Sequence, residues 1–236
     1  MSVQSMTNTD TRDVGATVDQ IHTVAAAGCD IIRVAVPDEE AAGGLEKIRM
    51  ASPLPVIADI HFNVNLALAA IDAGVHGVRV NPGTIAGDKG LKQIAERAAA
   101  SGCPVRVGIN SGSLRPEQRR KYGGATPEAL VESACEYCRR FEDWGCTALK
   151  VSLKSSSVLD SVRAYRIFAA RTCYPLHLGI TEAGTEQQGT IKSSIGIGAL
   201  LLDGIGDTIR VSLTAPPEKE VVVAAKILAS LKLRDI

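Results

Sequence analysis

Aromatic side chains are scarce in this chain: three Phe, four Tyr and one Trp make up 3% of its 236 residues. A core built on ring stacking is excluded, so Ala, Val, Ile and Leu must do the packing, as in parallel strands covered by helices. Net charge is missing as well. The 26 Lys and Arg balance 26 Asp and Glu, so no global field draws the chain to nucleic acid or to an anionic membrane. Any electropositive site has to be local and offset elsewhere. No apolar run is long enough to span a bilayer, and the opening MSVQSMTNTD carries no signal-peptide pattern. The six cysteines (Cys29, Cys103, Cys135, Cys138, Cys146 and Cys173) are scattered, which favours reduced thiols in a cytoplasmic protein over a disulfide framework.

Motifs that would carry metal or nucleotide chemistry are incomplete. Cys135 and Cys138 form a CxxC, but no second CxxC or nearby His completes a ligand set. Their segment reads as a helix with Leu130, Ala134, Cys138 and Phe141 on one face, so packed thiols are expected. His22, His61, His76 and His177 are dispersed, and a hydrogen-bonding role is expected for His61. The glycine-rich stretches 81–90 and 204–207 lack the spacing of a P-loop or a dinucleotide fingerprint. They read as βα turns whose amides can assist phosphate binding.

What the sequence does contain is regular alternation. Strand-like runs at 2–8, 30–36, 55–61, 77–82, 104–110, 148–154, 175–181 and 208–213 are separated by helical stretches near 17–27, 38–51, 64–73, 87–100, 127–143, 157–172, 186–202 and 217–231. Thr126-Pro127-Glu128 and Pro216-Pro217-Glu218 carry helix-start signals. Eight β units each followed by an α unit predict an α/β fold, a single-domain (β/α)8 TIM barrel, over residues 1–236. A doubly wound open sheet is the rival. The long connection 110–125 follows a strand's C-terminal end, the face on which such barrels work.

Side chains alternate along a strand, so each strand has two faces. In six strands one face is apolar: Ile32 and Val34, Ile60, Val78 and Val80, Val107 and Ile109, Val151 and Leu153, Val211 and Leu213. That face is expected to point outward, under the helices. The barrel interior then receives Arg33; Asp59 and His61; Arg79 and Asn81; Arg106 and Asn110; Lys150 and Ser152; Arg210 and Ser212. In the seventh strand His177, Gly179 and Thr181 alternate with Leu176, Leu178 and Ile180, and Glu182 follows. Five strands thus bring a basic residue to a similar depth near their C-terminal ends, where ordinary barrels carry Val, Ile and Leu. Five cations in a low-dielectric space repel one another unless a counter-charge is supplied. A polyanionic ligand supplies it most simply, since Arg matches phosphate oxygens in bidentate geometry.

The stretches VQSMTNTDTRD, DIIRVAVPD, VIADIHF, VRVNPG, VRVGINSGSL, KVSLKSS, GITEAG and KSSIGIGALLLDGIGDTIRVSLTAPPEKEV resemble 4-hydroxy-3-methylbut-2-enyl diphosphate synthases, the GcpE/IspG family, in order along nearly the whole chain. The resemblance implies a late step of the non-mevalonate isoprenoid pathway, in which 2-C-methyl-D-erythritol 2,4-cyclodiphosphate is reductively opened to the linear hydroxymethylbutenyl diphosphate. It implies a diphosphate cradle of Arg33, Arg79, Arg106, Lys150, Arg210 and Ser212. Asp59, His61, Asn81, Asn110 and Thr181 orient the ligand and the basic side chains. Glu182 is similar to the family's essential acid, beside the C3 hydroxyl that departs. Set among cations it is expected to be ionised, and a bound dianion that neutralises their field turns it into a proton donor. The resemblance further implies a homodimer, ferredoxin or flavodoxin as electron donor, and a [4Fe–4S] cluster on a C-terminal domain. None of the six cysteines matches the cluster motif, so the cluster ligands are not expected in this chain, which by itself binds substrate without reducing it. Two other readings stay open: a barrel-only diphosphate-binding module, and a transferase like dihydropteroate synthase, whose barrel is similar.

Overall fold

The computed structural model describes residues 1–85, 87–181 and 183–235. Eight parallel strands run β1 (Ser2–Met6), β2 (Ile31–Val36), β3 (Val56–Ile60), β4 (Gly77–Val80), β5 (Val105–Asn110), β6 (Leu149–Lys154), β7 (His177–Leu178) and β8 (Thr208–Ile209). Hydrogen-bonded neighbours follow the order β6-β5-β4-β3-β2-β1-β8-β7, and a parallel bridge between Val151 and Leu176 joins the two ends. The sheet therefore closes into a barrel, and the open-sheet alternative falls.

Among the described residues the helices are α1 (Val14–Ala26), α2 (Glu39–Ala51), α3 (Val64–Asp72), α4 (Gly87–Ser101), α5 (Pro116–Tyr122), α6 (Pro127–Asp143), α7 (Val158–Ala169), α8 (Glu186–Leu202) and α9 (Pro217–Ser230). Their starts follow local chemistry. Thr126 Oγ1 accepts from Ala129 N with Pro127 at the first helical position, and Asp13, Asp38 and Ser157 cap in the same way. The face Leu130, Ala134, Cys138 and Phe141 is wholly buried, so Cys138 is a core thiol. None of these helices is long and apolar enough to cross a membrane.

The side-chain parity holds. Ile32, Val34, Ile60, Val78, Val80, Val107, Ile109, Val151, Leu153 and Val211 are buried in one continuous apolar core beneath the helices. Burying such a layer supplies most of the folding drive, at about 25 cal/mol per Å² of apolar surface.

Two elements differ from the sequence expectation. Strands β7 and β8 keep only two ladder residues each, because the chain beyond Leu178 and Ile209 turns its polar groups into the site. One bond, Arg210 N to Leu178 O at 3.0 Å, still ties the two segments. The connection 110–125 is not a plain loop: a 3-10 turn at Ser111–Ser113 leads into α5, which Pro116 starts and Gly123, at φ 68°, ends. Ion pairs Arg115–Glu136 and Lys121–Glu132, both 2.6 Å, fasten α5 to α6.

Candidate functional site

Strand pairing sets the inward side chains in ladder contact. Asp59 on β3 is level with Arg79 on β4, and Arg79 with Arg106 on β5. Asp59 is the hub of this group. Its carboxylate lies 3.5 Å from Arg33 Nε, 3.2 Å from Arg79 Nη1 and 3.5 Å from His61 Nε2. Arg79 Nη1 also lies 3.3 Å from His61 Nε2, and Arg33 donates to Met6 Sδ from Nε and Nη2. Arg106 reaches across the barrel to β1, where Nη1 donates to Gln4 Oε1 at 2.7 Å. Among the described residues its Nε and Nη2 are buried with no partner, as is His177 Nε2. The other ring nitrogen of His177 is 2.8 Å from Thr208 Oγ1.

Two glycines make room for these long side chains. Gly108 lies between Arg106 and Asn110 on the inward face of β5, and a Cβ there would meet Arg79 Nε at 2.7 Å. A Cβ at Gly179 would meet the Arg210 carbonyl at 2.6 Å and Lys154 Nζ at 2.8 Å.

Lys150 is level with Arg106 in the β5–β6 pairing. With Arg106 and Gln4 it lines a small cavity of about 160 Å³ beside Pro55, His76 and Pro104, which precede β3, β4 and β5, toward the N-terminal mouth of the barrel. A second basic residue of β6, Lys154, lies four residues on and on the same face, level with Asn110 and nearer the strand ends. Sequence reasoning missed Lys154. Sequence reasoning also missed Glu220, which is 4% exposed on the first turn of α9. It accepts from Arg210 Nε at 3.2 Å, Arg210 Nη2 at 3.3 Å, Ser5 Oγ at 3.0 Å and Leu213 N at 3.1 Å. A carboxylate in a helix's first turn reads as a solvated dipole partner; only the seating of α9 over β1 and β8 buries it.

Of the other expected residues, Ser152 and Asn81 are buried, and Asn81 Oδ1 accepts from Gly83 N at 3.1 Å to shape the β4–α4 turn. Asn110 and Thr181 line a recess of about 660 Å³ on the C-terminal face, together with Phe62, Thr84, Leu114 and Ser156. Ser212 is half-buried beyond β8. Glu182 lies outside the described residues.

The profile of the GcpE TIM-barrel domain matches residues 1–225. The chain belongs to this family. It is 54% identical to the 4-hydroxy-3-methylbut-2-en-1-yl diphosphate synthase (flavodoxin) of Geobacter sulfurreducens over 234 residues, covering 99% of this chain and 66% of that protein. The enzyme of the same name from Aquifex aeolicus is 54% identical over 232 residues, 98% of this chain and 65% of that one. The chain thus spans just under two thirds of the length of these curated relatives. Among solved structures, a dihydropteroate synthase from Yersinia pestis has a TM-score of 0.66 at 14% identity, over 98% of this chain and 93% of that one. At that identity the likeness is one of fold.

Electrostatics then define what this GcpE barrel can do. Among the described residues, the cations Arg33, Arg79, Arg106, Lys154 and Arg210 face the carboxylates Asp59 and Glu220, an excess of three. Counting Glu182 as a third carboxylate would still leave cations in excess. Burial pulls the pKa of Arg33 down to about 10, and Arg210 and Arg79 add to that while Asp59 opposes it. Arg106 and Lys154 are driven well down, by burial first and then by the neighbouring cations. Burial would raise Asp59, but Arg33, His61 and Arg79 outweigh it and hold the carboxyl well below its usual range. His177 is pushed down by burial and then by Arg106 and Lys154, so its ring is neutral at physiological pH. A guanidinium stays charged at neutral pH, so these directions reflect burial first and, behind it, a positive field that the described carboxylates do not cancel. An anion bound here would cancel it, in contact with the free Nε and Nη2 donors of Arg106.

Proposed function

We propose that this chain is the substrate-binding barrel of a 4-hydroxy-3-methylbut-2-en-1-yl diphosphate synthase, taking 2-C-methyl-D-erythritol 2,4-cyclodiphosphate as its ligand. The observation that carries this reading is the buried excess of cations, with two guanidinium donors of Arg106 that have no partner among the described residues. A cyclic diphosphate brings two negative charges and many acceptor oxygens, which matches that excess. Family membership and the names of the relatives agree with it.

In this reading Arg33, Arg79, Arg106, Lys154 and Arg210 hold the diphosphate. Asp59 keeps Arg33, Arg79 and His61 in register, and Glu220 does the same for Arg210. Asn81 and Ser152 line the walls, and Asn110, Thr181 and Ser212 lie nearer the mouth. Lys150 contributes to the field from the N-terminal side. Opening the ring and releasing the C3 hydroxyl as water consumes two electrons and two protons. The proton that leaves with the C3 oxygen as water is assigned to Glu182, on the strength of its place in GITEAG. If Glu182→Gln in the full-length enzyme turned over normally at unchanged substrate affinity, that role would be wrong.

Among the described residues no group of three His, Cys, Asp or Glu side chains is placed to hold a metal ion. Burial pushes the thiols of Cys29, Cys103 and Cys146 up to about 11, away from the thiolate form a ligand needs. These residues do not fit an iron–sulfur cluster, and no step through one is derived from them. The proposal assigns the electrons to a [4Fe–4S] cluster on a further domain, reduced by flavodoxin or ferredoxin, in a cytoplasmic homodimer.

Calorimetry tests the binding step. The chain should bind the cyclodiphosphate, and Arg79→Met should weaken binding about tenfold to a hundredfold, the worth of charge-assisted hydrogen bonds. Binding of a dihydropterin diphosphate instead of the cyclodiphosphate would favour the transferase reading.

A further inference from the structure

Phe62 stands apart from every other phenylalanine in the chain. Phe141 and Phe168 are fully buried, whereas Phe62 is 70% exposed. It is also one of two non-glycine residues, among those described, with a positive φ, at 63°. The amide of Asn63 donates to His61 O at 2.7 Å, closing a three-residue turn with Phe62 at its centre. A γ-turn of this hand is rare and strained, and the left-handed region costs a bulky residue about 1–2 kcal/mol. Glycine or asparagine would hold that turn more easily. The chain instead spends one of its few aromatics there, in water, at the lip of the barrel.

The setting indicates a use. Phe62 lines the recess that Asn110, Ser156 and Thr181 also line, on the C-terminal face. The residue before it, His61, touches Arg79 and Asp59, so the turn begins at the edge of the cationic group. The rings of His61 and Phe62 lie 5.9 Å apart, tilted by 41°. A diphosphate held by Arg33 and Arg79 would leave the carbon part of its ester facing this rim. Polar side chains dominate the rim, and a methyl-bearing carbon skeleton gains most from an apolar surface there.

We infer that Phe62 is a positioning residue that covers the carbon skeleton of the diphosphate ligand, fixing which way the ester points while the arginines hold its phosphates. This rests on the proposed function, and it adds an apolar determinant that separates the cyclodiphosphate from bare diphosphate. The turn closed by the Asn63–His61 bond presents the ring at the mouth.

Titration calorimetry of the chain with two probes, the cyclodiphosphate and inorganic pyrophosphate, tests it. Phe62→Ala should weaken the cyclodiphosphate about tenfold, the worth of an apolar face of this size, and leave pyrophosphate within about twofold. Phe62→Leu should keep most of the affinity. Phe62→Gly, which relieves the positive φ, should lose as much as Phe62→Ala. Because the ring is exposed, Phe62→Ala and Phe62→Leu should melt with the unaltered chain, and Phe62→Gly, freed of the positive φ, should melt no lower. If Phe62→Gly binds the cyclodiphosphate normally, the residue serves only the turn and the inference fails. Equal loss for both probes would also overturn it, since Phe62 would then be supporting the cationic group. If the unaltered chain binds pyrophosphate but not the cyclodiphosphate, the proposed function itself fails, a result distinct from any pattern among the variants.

Discussion

Lys154 is the residue on which the site's pH behaviour turns. Its folded pKa lies below the ordinary 10.5 because burial and then Arg106, Arg33 and other cations disfavour the charge. A lowered lysine pKa means that the empty fold binds fewer protons than the unfolded chain, so this residue's contribution to stability improves as pH rises through the folded pKa. A bound dianion reverses the field and raises the pKa. Between the empty-state and bound-state pKa binding therefore takes up a proton, and affinity falls with rising pH across that window and levels off above it. The cyclodiphosphate is suited to the measurement because its phosphates are fully ionised throughout this range. Calorimetry in buffers of different ionisation enthalpy should show proton uptake that Lys154→Met abolishes. Uptake unchanged in that variant would assign the proton elsewhere. The part of Lys154 beside Lys150 was not legible in LKVSLK, where both share a face; depth depends on strand tilt and stagger, which only the closed barrel supplies.

At the scale of elements, alternation in the strands was the most legible feature, because a one-residue slip would have turned every arginine into the apolar layer. Boundaries of β7 and β8 were less so, since the same alternation continues past the last ladder bond into the site. Helix α5 was hidden by its brevity and by the prolines and glycines that flank it. Gly108 and Gly179 show how the strands accommodate the cations, and they should respond differently to the same change. In Gly108→Ala the new methyl meets Arg79 Nε, a side-chain atom whose guanidinium can tilt about its pairing with Asp59. Stability should fall by about 1 kcal/mol or less if that pairing is kept, while diphosphate affinity falls because Arg79 is tilted out of place. In Gly179→Ala the methyl meets the Arg210 carbonyl, which is backbone and cannot yield without moving β8. That variant should lose about 1–3 kcal/mol of stability. Urea unfolding of both variants, alongside calorimetry, checks the pair; equal stability losses would contradict the geometric distinction.

For the whole molecule, a net charge of zero conceals a separation of charge. The interior group carries an excess of cations, so the rest of the chain carries an equal excess of acids, over and above surface pairs such as Arg97–Asp72 and Arg166–Asp203, which cancel within themselves. Exposed pairs of that kind contribute little, whereas a buried cation without a partner is costly. The empty barrel should therefore be less stable than its packing alone would make it, and anions should stabilise it by mass action. Arg106 isolates the effect, since two of its donors are buried without a partner among the described residues while a third reaches Gln4. Arg106→Met keeps the length and removes the charge, at the loss of one hydrogen bond. Without added anion its Tm should rise by about 2–4 °C, the shift that roughly 1 kcal/mol produces in a chain of this size. Millimolar pyrophosphate should raise the Tm of the unaltered chain more than chloride at equal ionic strength, and raise that of Arg106→Met much less. A variant that melts lower without anion, yet gains as much from pyrophosphate, would mean that Arg106 stabilises the fold and does not meet the ligand.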